Sequence, residues 1–287
     1  MGVGELGVRR ARPGDWLAIE ALFRRARRKS PQLWWWEEHL ADDPFVVIER
    51  DGIVVGALFA WPDESPVAWV RLAALEDGLD IGEWLNLVLP PVLDSSRCRG
   101  VRKLAWMDYG GWAGQHLRAH GFERLTDVIT LAKFDRALPG TNVMDAGLRP
   151  ADVCVRPMSD ADIPAIVAVD RAAFTPHWWY SEFTLLRRAA VAAHFTVAEA
   201  ADRVIGYTEG ELRPPVAHLN RIAVHPACQG HGIGALLLRD ALRAFWRLGA
   251  EQVSLNTQID NHYSQQLYRR FGFGPTGDAV TVWELEL

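Results

Sequence analysis

Ile222-Ala223-Val224-His225-Pro226-Ala227-Cys228-Gln229-Gly230-His231-Gly232-Ile233-Gly234 is the stretch from which the rest of the chain can be read. An apolar strand runs into a turn that holds three glycines, and the turn opens a helix. Leu236, Leu237, Ala241, Leu242, Phe245 and Trp246 form one apolar stripe on that helix, and Gly249 stops it. Glycines let the backbone take positive φ and come close to a ligand. Several N–H groups then converge on one concavity, and the helix N-terminus adds a favourable dipole. This is the physics of a phosphate-binding turn. No lysine follows as in Gly-x-x-x-x-Gly-Lys-Ser/Thr, and the glycines are spaced Gly-x-Gly-x-Gly rather than Gly-x-Gly-x-x-Gly, which argues against a nucleoside-triphosphate loop and a dinucleotide fold.

Working outward, residues from Val155 onward read as a strand, a helix from Ser159, a second helix over 181–193 and a hairpin. A strand over Ala217–Val224 and the helix Ile233–Leu248 follow, then a strand (Gln252–Thr257), a helix (Asn261–Phe271) and a last strand (Val280–Leu287). This mixture predicts an α/β (α+β) architecture, a mostly antiparallel mixed sheet flanked by helices. The pattern occurs twice. Val8–Phe23 parallels Val155–Phe174, Trp34-Trp35-Trp36 parallels His177-Trp178-Trp179-Tyr180, and Phe45–Gly56 parallels Phe195–Gly206. Both copies close on a helix and a Gly-Phe pair, Gly121-Phe122 and Gly272-Phe273. The repeat predicts two tandem domains, residues 5–137 and 153–287, joined by a turn-rich linker over 138–152.

Composition agrees with two domains. The chain has 287 residues, 49% hydrophobic and 23% charged, as expected of a soluble globular protein. The formal net charge is −5 and neither half is basic, which argues against nucleic-acid binding through counterion release. The cations Arg24, Arg25, Arg27, Arg28 and Lys29 lie near a helix end, where they favour the dipole. Three cysteines, with no Cys-x-x-Cys pair, suggest neither a disulfide framework nor a metal site and fit a reducing cytoplasm. No signal peptide, myristoylation motif or membrane-length apolar run is seen. The 13 tryptophans are distributed unevenly, nine of them before residue 145.

Leu219-x-x-Ile-Ala-Val-x-Pro followed by Gln229-x-x-Gly-x-Gly, with Asn261-x-x-Ser264-x-x-Leu267-Tyr268-x-x-x-Gly272-Phe273 further on, resembles the GCN5-related N-acetyltransferase (GNAT) family over residues 153–287. Residues 5–137 resemble the same fold more weakly. The resemblance implies acetyl-CoA as co-substrate, with its pyrophosphate on the backbone of Gln229, Gly230, His231, Gly232, Ile233 and Gly234. It implies the pantetheine arm along Ile222, Ala223 and Val224, with Asn261 also on that arm. Tyr268 is implied as proton donor to the departing thiolate, a role that suits a phenol of pKa about 10 if the site brings it closer to the thiol's 8.5 or so. The Val224 N–H is the candidate donor to the developing oxyanion. Tyr268 has a structural reading as well, as an aromatic supporting the Gly272-Phe273 turn.

For the base, alignment from the glycines places His218 where some family members carry a glutamate. Glu209 and Glu211 are alternatives acting through water. His225, His231 and Cys228 read as loop residues. His177-Trp178-Trp179-Tyr180 reads either as an aromatic wall for the acceptor or as core packing.

In the first copy the segment Leu72–Trp84 stands where the second has its glycine loop. Gly82 survives, Asp77, Asp80 and Glu83 repel a pyrophosphate, Trp84 replaces Gly234, and Leu117 replaces Tyr268. The sequence therefore predicts an N-acyltransferase that moves an acetyl group to a primary amine by direct attack. Its C-terminal domain is active, its N-terminal copy is degenerate, and no metal takes part. The acceptor partner is a small molecule or a peptide N-terminus, with no nucleic acid and no membrane. The alternative is a non-catalytic acyl-CoA sensor or scaffold.

Overall fold

The computed structural model describes residues 5–30, 36–63, 66–139 and 152–287. Trp34, Trp35 and most of the predicted linker, residues 140–151, lie outside the described residues. The chain forms two compact units, Met1–Asp127 with Val280–Leu287, and Val128–Ala279. These units differ from the division 5–137 and 153–287 drawn from the repeat, because each is completed by a strand from the other half of the sequence.

In chain order the first unit contains β1 (Leu6–Arg10), α1 (Trp16–Arg25), β2 (Arg28–Lys29), β3 (Phe45–Arg50), β4 (Ile53–Trp61), β5 (Val67–Leu75), α2 (Ile81–Cys98), β6 (Lys103–Asp108) and α3 (Gly114–Ala119). Strand β7 (Glu123–Lys133) begins in the first unit and ends in the second. The second unit continues with β8 (Cys154–Pro157), α4 (Ile163–Ala173), α5 (Glu182–Val191), β9 (His194–Ala200), β10 (Arg203–Arg213), β11 (Val216–Val224), α6 (Ile233–Arg247), β12 (Gln252–Gln258) and α7 (His262–Arg270). Strand β13 (Gly274–Glu286) begins six residues before the predicted Val280 and ends in the first unit.

The sheet of the first unit runs β1-β3-β4-β5-β6 and is completed by Thr281–Glu286 of β13, antiparallel to β6. That of the second runs β8-β9-β10-β11-β12 and is completed by Val128–Lys133 of β7, antiparallel to β12. In each sheet one pair is parallel, β5 with β6 and β11 with β12. Both parallel pairings are short. The first ends at Trp69–Ala105 and the second at Leu219–Leu255, although β5 and β11 run on to Leu75 and Val224. The strands separate there, and the gap between them is where the two units differ.

A bulge sets which way β11 faces near that gap. Pairing with β10 shifts between Glu209–Arg221 and Gly210–Leu219, leaving Asn220 as the extra residue. Before it, Ala217 and Leu219 pack with Leu238, Ala241 and Leu242 of α6. After it, Ala223 packs with Ile163, Ile166 and Val169 of α4, and Ile222 joins the α6 side. Of the α6 stripe predicted from sequence, Leu237, Ala241, Leu242 and Phe245 are buried against the sheet, joined by Leu238, whereas Leu236 and Trp246 are only half-buried.

Candidate active site

The glycine turn is built by backbone conformation. Gly230 and Gly232 have φ of +80° and +78°, and Gly232 caps the N-terminus of α6 in the left-handed region, where a residue with a Cβ is strained. Gln229 Nε2 donates to the Val224 carbonyl at 3.0 Å and ties the turn to the end of β11. Ile233 is buried among Val153, Ala198 and Leu237, so its side chain serves the core.

Beside this turn lies a cleft of about 600 Å³. Ile222 to Val224, Gln229 to Gly234, Asn261 and Tyr268 all line it, as do Phe174 and Cys228. A Cβ at Gly230 meets nothing within 4 Å, whereas one at Gly234 sits 3.4 Å from Leu267, so the wall closes in at the start of α6. Along β11 the amides alternate in direction. The His225 N–H bonds the Ile205 carbonyl on the β10 side at 2.8 Å, so the Val224 N–H points to the opposite edge, where β12 has already separated.

Asn261 caps α7, its Oδ1 accepting from the Ser264 N–H at 3.1 Å, which leaves its amide NH2 as the group available to a ligand. Tyr268 is buried, with its ring edge-on to Phe273 at 5.9 Å. Burial raises its pKa, with Ser264 and the charge of Arg221 opposing the shift, so the phenol is protonated and remains a donor at neutral pH. Both readings of Tyr268 hold geometrically, since it packs on the Gly272-Phe273 turn and also lines the cleft.

His218 is not part of the cleft lining. Its Nδ1 lies 2.8 Å from Ser254 Oγ on β12, and burial, aided by the charge of Arg188, pushes the imidazole down to about 4. Glu211 sits opposite His218 in the strand pairing and contacts Arg213 at 3.4 Å. His225 Nδ1 accepts from the Ala227 N–H within the turn.

The aromatic segment between α4 and α5 is held by a buried ionic network that sequence reasoning did not single out. Asp170 takes a two-pronged contact from Arg221, Nε to Oδ2 at 2.8 Å and Nη2 to Oδ1 at 2.9 Å. It also accepts from the Tyr207 hydroxyl and, at 2.9 Å, from the Tyr180 N–H. Arg221 donates to the Trp178 carbonyl and lies between the rings of Phe174 and Tyr180, 3.8 and 4.0 Å from their centroids. The cation against this aromatic wall is therefore the protein's own. A sequence signal existed for one of them: Asp170 lies on the same helix stripe as Ile163 and Ile166.

In the first unit three indole rings, those of Trp84, Trp106 and Trp112, pack together in the core at the start of α2. Trp84, 1% exposed, packs so closely on Gly56 that a Cβ there meets its Nε1 at 2.8 Å. Its ring lies edge-on to Trp106 at 6.1 Å and tilted to Trp112 at 5.8 Å. Leu117 is fully buried in the same core, and Asp80 caps α2 by accepting from the Glu83 N–H at 2.8 Å.

Residues 163–273 match the model of the acetyltransferase (GNAT) family. The chain carries a GNAT N-acetyltransferase domain. A Bacillus subtilis protein named for alanine N-acetylation of ribosomal protein bS18 is 29% identical over 140 residues, 45% of this chain and 93% of that protein. A mycothiol acetyltransferase of Renibacterium salmoninarum is 27% identical over 250 residues, 77% of this chain and 73% of that protein. A tandem GNAT protein from the clavulanic acid biosynthesis pathway superposes with a TM-score of 0.67 at 22% identity, covering 98% of each chain, which shows the tandem fold. The GNAT match lies within the second unit, which holds the cleft.

Proposed function

We propose that the second unit transfers an acetyl group from acetyl-CoA to a primary amine by direct attack, and that the first unit has lost this activity. The observation that carries this reading is the single cleft in which the glycine turn, the open edge of β11 and Tyr268 meet. Its volume and its positive-φ backbone suit a phosphate-bearing ligand with a long arm. Acetyl-CoA supplies an activated acyl group as a thioester. The N–H groups of Gln229 to Gly234, with the α6 dipole, hold the pyrophosphate. Ile222 to Val224 and the Asn261 amide align the arm.

The Val224 N–H donates to the thioester oxygen, where negative charge collects as nitrogen adds to the carbonyl carbon. Tyr268 gives its phenolic proton to the sulfur as the C–S bond breaks. His218, kept neutral by burial and set back from the cleft lining, is the residue proposed to accept the amine's proton through an intervening water. The acceptor is a small-molecule amine or a protein N-terminus, the two kinds named for the relatives above. The three cysteines are free thiols, which fits a cytoplasmic enzyme. Among the described residues no helix is long and apolar enough to cross a membrane.

The test is thiol release from acetyl-CoA with a panel of amines. Turnover in the wild type and a roughly 100-fold lower kcat in Tyr268→Phe, with unchanged acetyl-CoA affinity, is the expected result. Binding without thiol release for any amine favours the sensor reading.

A further inference from the structure

Where β11 faces α4, the cleft is lined by Ala173, Phe174 and Ala223, all of them apolar. Val224, whose N–H is the proposed donor to the thioester oxygen, is the next residue along the strand and lines the same cleft. The carbon chain of an acyl group held by that N–H therefore lies beside this apolar corner, and Phe174 is the largest side chain in it.

The Phe174 ring is held from two directions. Phe174 directly follows α4, and its N–H donates to the Asp170 carbonyl at 3.0 Å, which fixes its backbone. Its ring centroid lies 3.8 Å from the Arg221 guanidinium carbon. Arg221 is 9% exposed and cannot move with the ring, because the fully buried Asp170 grips it at 2.8 and 2.9 Å and the Trp178 carbonyl accepts from it as well. Turning the ring aside would uncover a desolvated charge, so the wall does not yield. A rigid apolar wall measures length. A methyl group packs against it, whereas added methylenes overfill the space and force side chains out of their rotamers.

Resting on the acyltransferase reading above, we infer that Phe174 sets the acyl-chain length of the co-substrate, admitting acetyl and excluding butyryl and longer chains.

Isothermal titration of acetyl-CoA, butyryl-CoA and free CoA into the wild type, Phe174→Ala and Phe174→Leu tests this, with the ratio of butyryl-CoA to acetyl-CoA affinity as the readout. The wild type is expected to bind acetyl-CoA about tenfold more tightly than butyryl-CoA. In Phe174→Ala the ratio rises by roughly tenfold or more, as expected for two further methylenes finding a place to be buried. Phe174→Leu moves it less and in the same direction, and it decides the matter if thermal melting shows that Phe174→Ala does not fold. Free CoA, which has no acyl group, shows whether the rest of the cleft is intact. Equal affinity of the wild type for acetyl-CoA and butyryl-CoA, or a ratio unchanged in the folded variants, overturns the assignment of Phe174. Failure of all three ligands to bind the wild type overturns instead the reading on which it rests.

Discussion

The two units split a parallel strand pair at the same place and do opposite things with the gap. In the second, Gly234 stands at the mouth of α6, the space stays open as a cleft, and Tyr268 lines it. In the first, Leu117 takes the position of Tyr268, and Trp84 faces Gly56 as Leu237 faces Gly206, so it stands in the place of Leu237 and not of Gly234 as the sequence alignment predicted, with Trp106 and Trp112 packed on its ring. The glycine that matches Gly206 is retained as Gly56: Gly206 faces Leu237 and Gly56 faces Trp84, so an indole replaces a leucine side chain there. A fold whose core strands diverge has to fill the wedge with something. On the proposed reading the second unit leaves it to acetyl-CoA, whereas the first packs side chains, Trp84, Trp106 and Trp112 among them, in its core.

Trp84→Ala breaks the comparison most severely. It removes a fully buried indole from the wedge and is expected to destabilise the first unit by about 3–5 kcal/mol. It is not expected to create a second acetyl-CoA site, because Asp80 and Glu83 remain at the turn and Leu117 opposite. Thermal unfolding measures the first effect and binding stoichiometry the second.

His218→Gln sharpens the comparison on the other side and has the smallest effect. The folded imidazole titrates near 4, below its ordinary value of about 6.5, so the unfolded chain binds more protons between these values. The stability it contributes is complete above about pH 6.5 and is lost as pH falls towards 4. The variant is expected to flatten that part of the stability profile in denaturant unfolding from pH 4 to 7. If His218 accepts the amine's proton, the acid limb of kcat/KM moves as well.

Much of this contrast was legible in the residues. Glycine at positive φ and tryptophan at a close-packed position are extreme choices, so Gly230, Gly232 and Trp84 announced themselves by type and spacing. The exchange of final strands was not legible. β7 and β13 carry the same apolar patterning whichever sheet they join, and the choice is made by pairings more than 100 residues apart in sequence. Nor was the surrounding of His218. Alignment put it near the chemistry, but the bulge at Asn220 reverses the facing of β11 and no residue type marks it. Asp170, Arg188 and Arg221 were not singled out, and Glu209 was named only as an alternative base, because the pairings that bury these charges are set by the fold.

The central claim is that one unit binds acetyl-CoA and the other cannot. Titration calorimetry of acetyl-CoA into the wild type and into Gly234→Trp, which sets an indole into the wall of the cleft, tests it most directly. One site per chain in the wild type and none in the folded variant is the predicted result. Two sites per chain, or a site that survives Gly234→Trp, contradicts it.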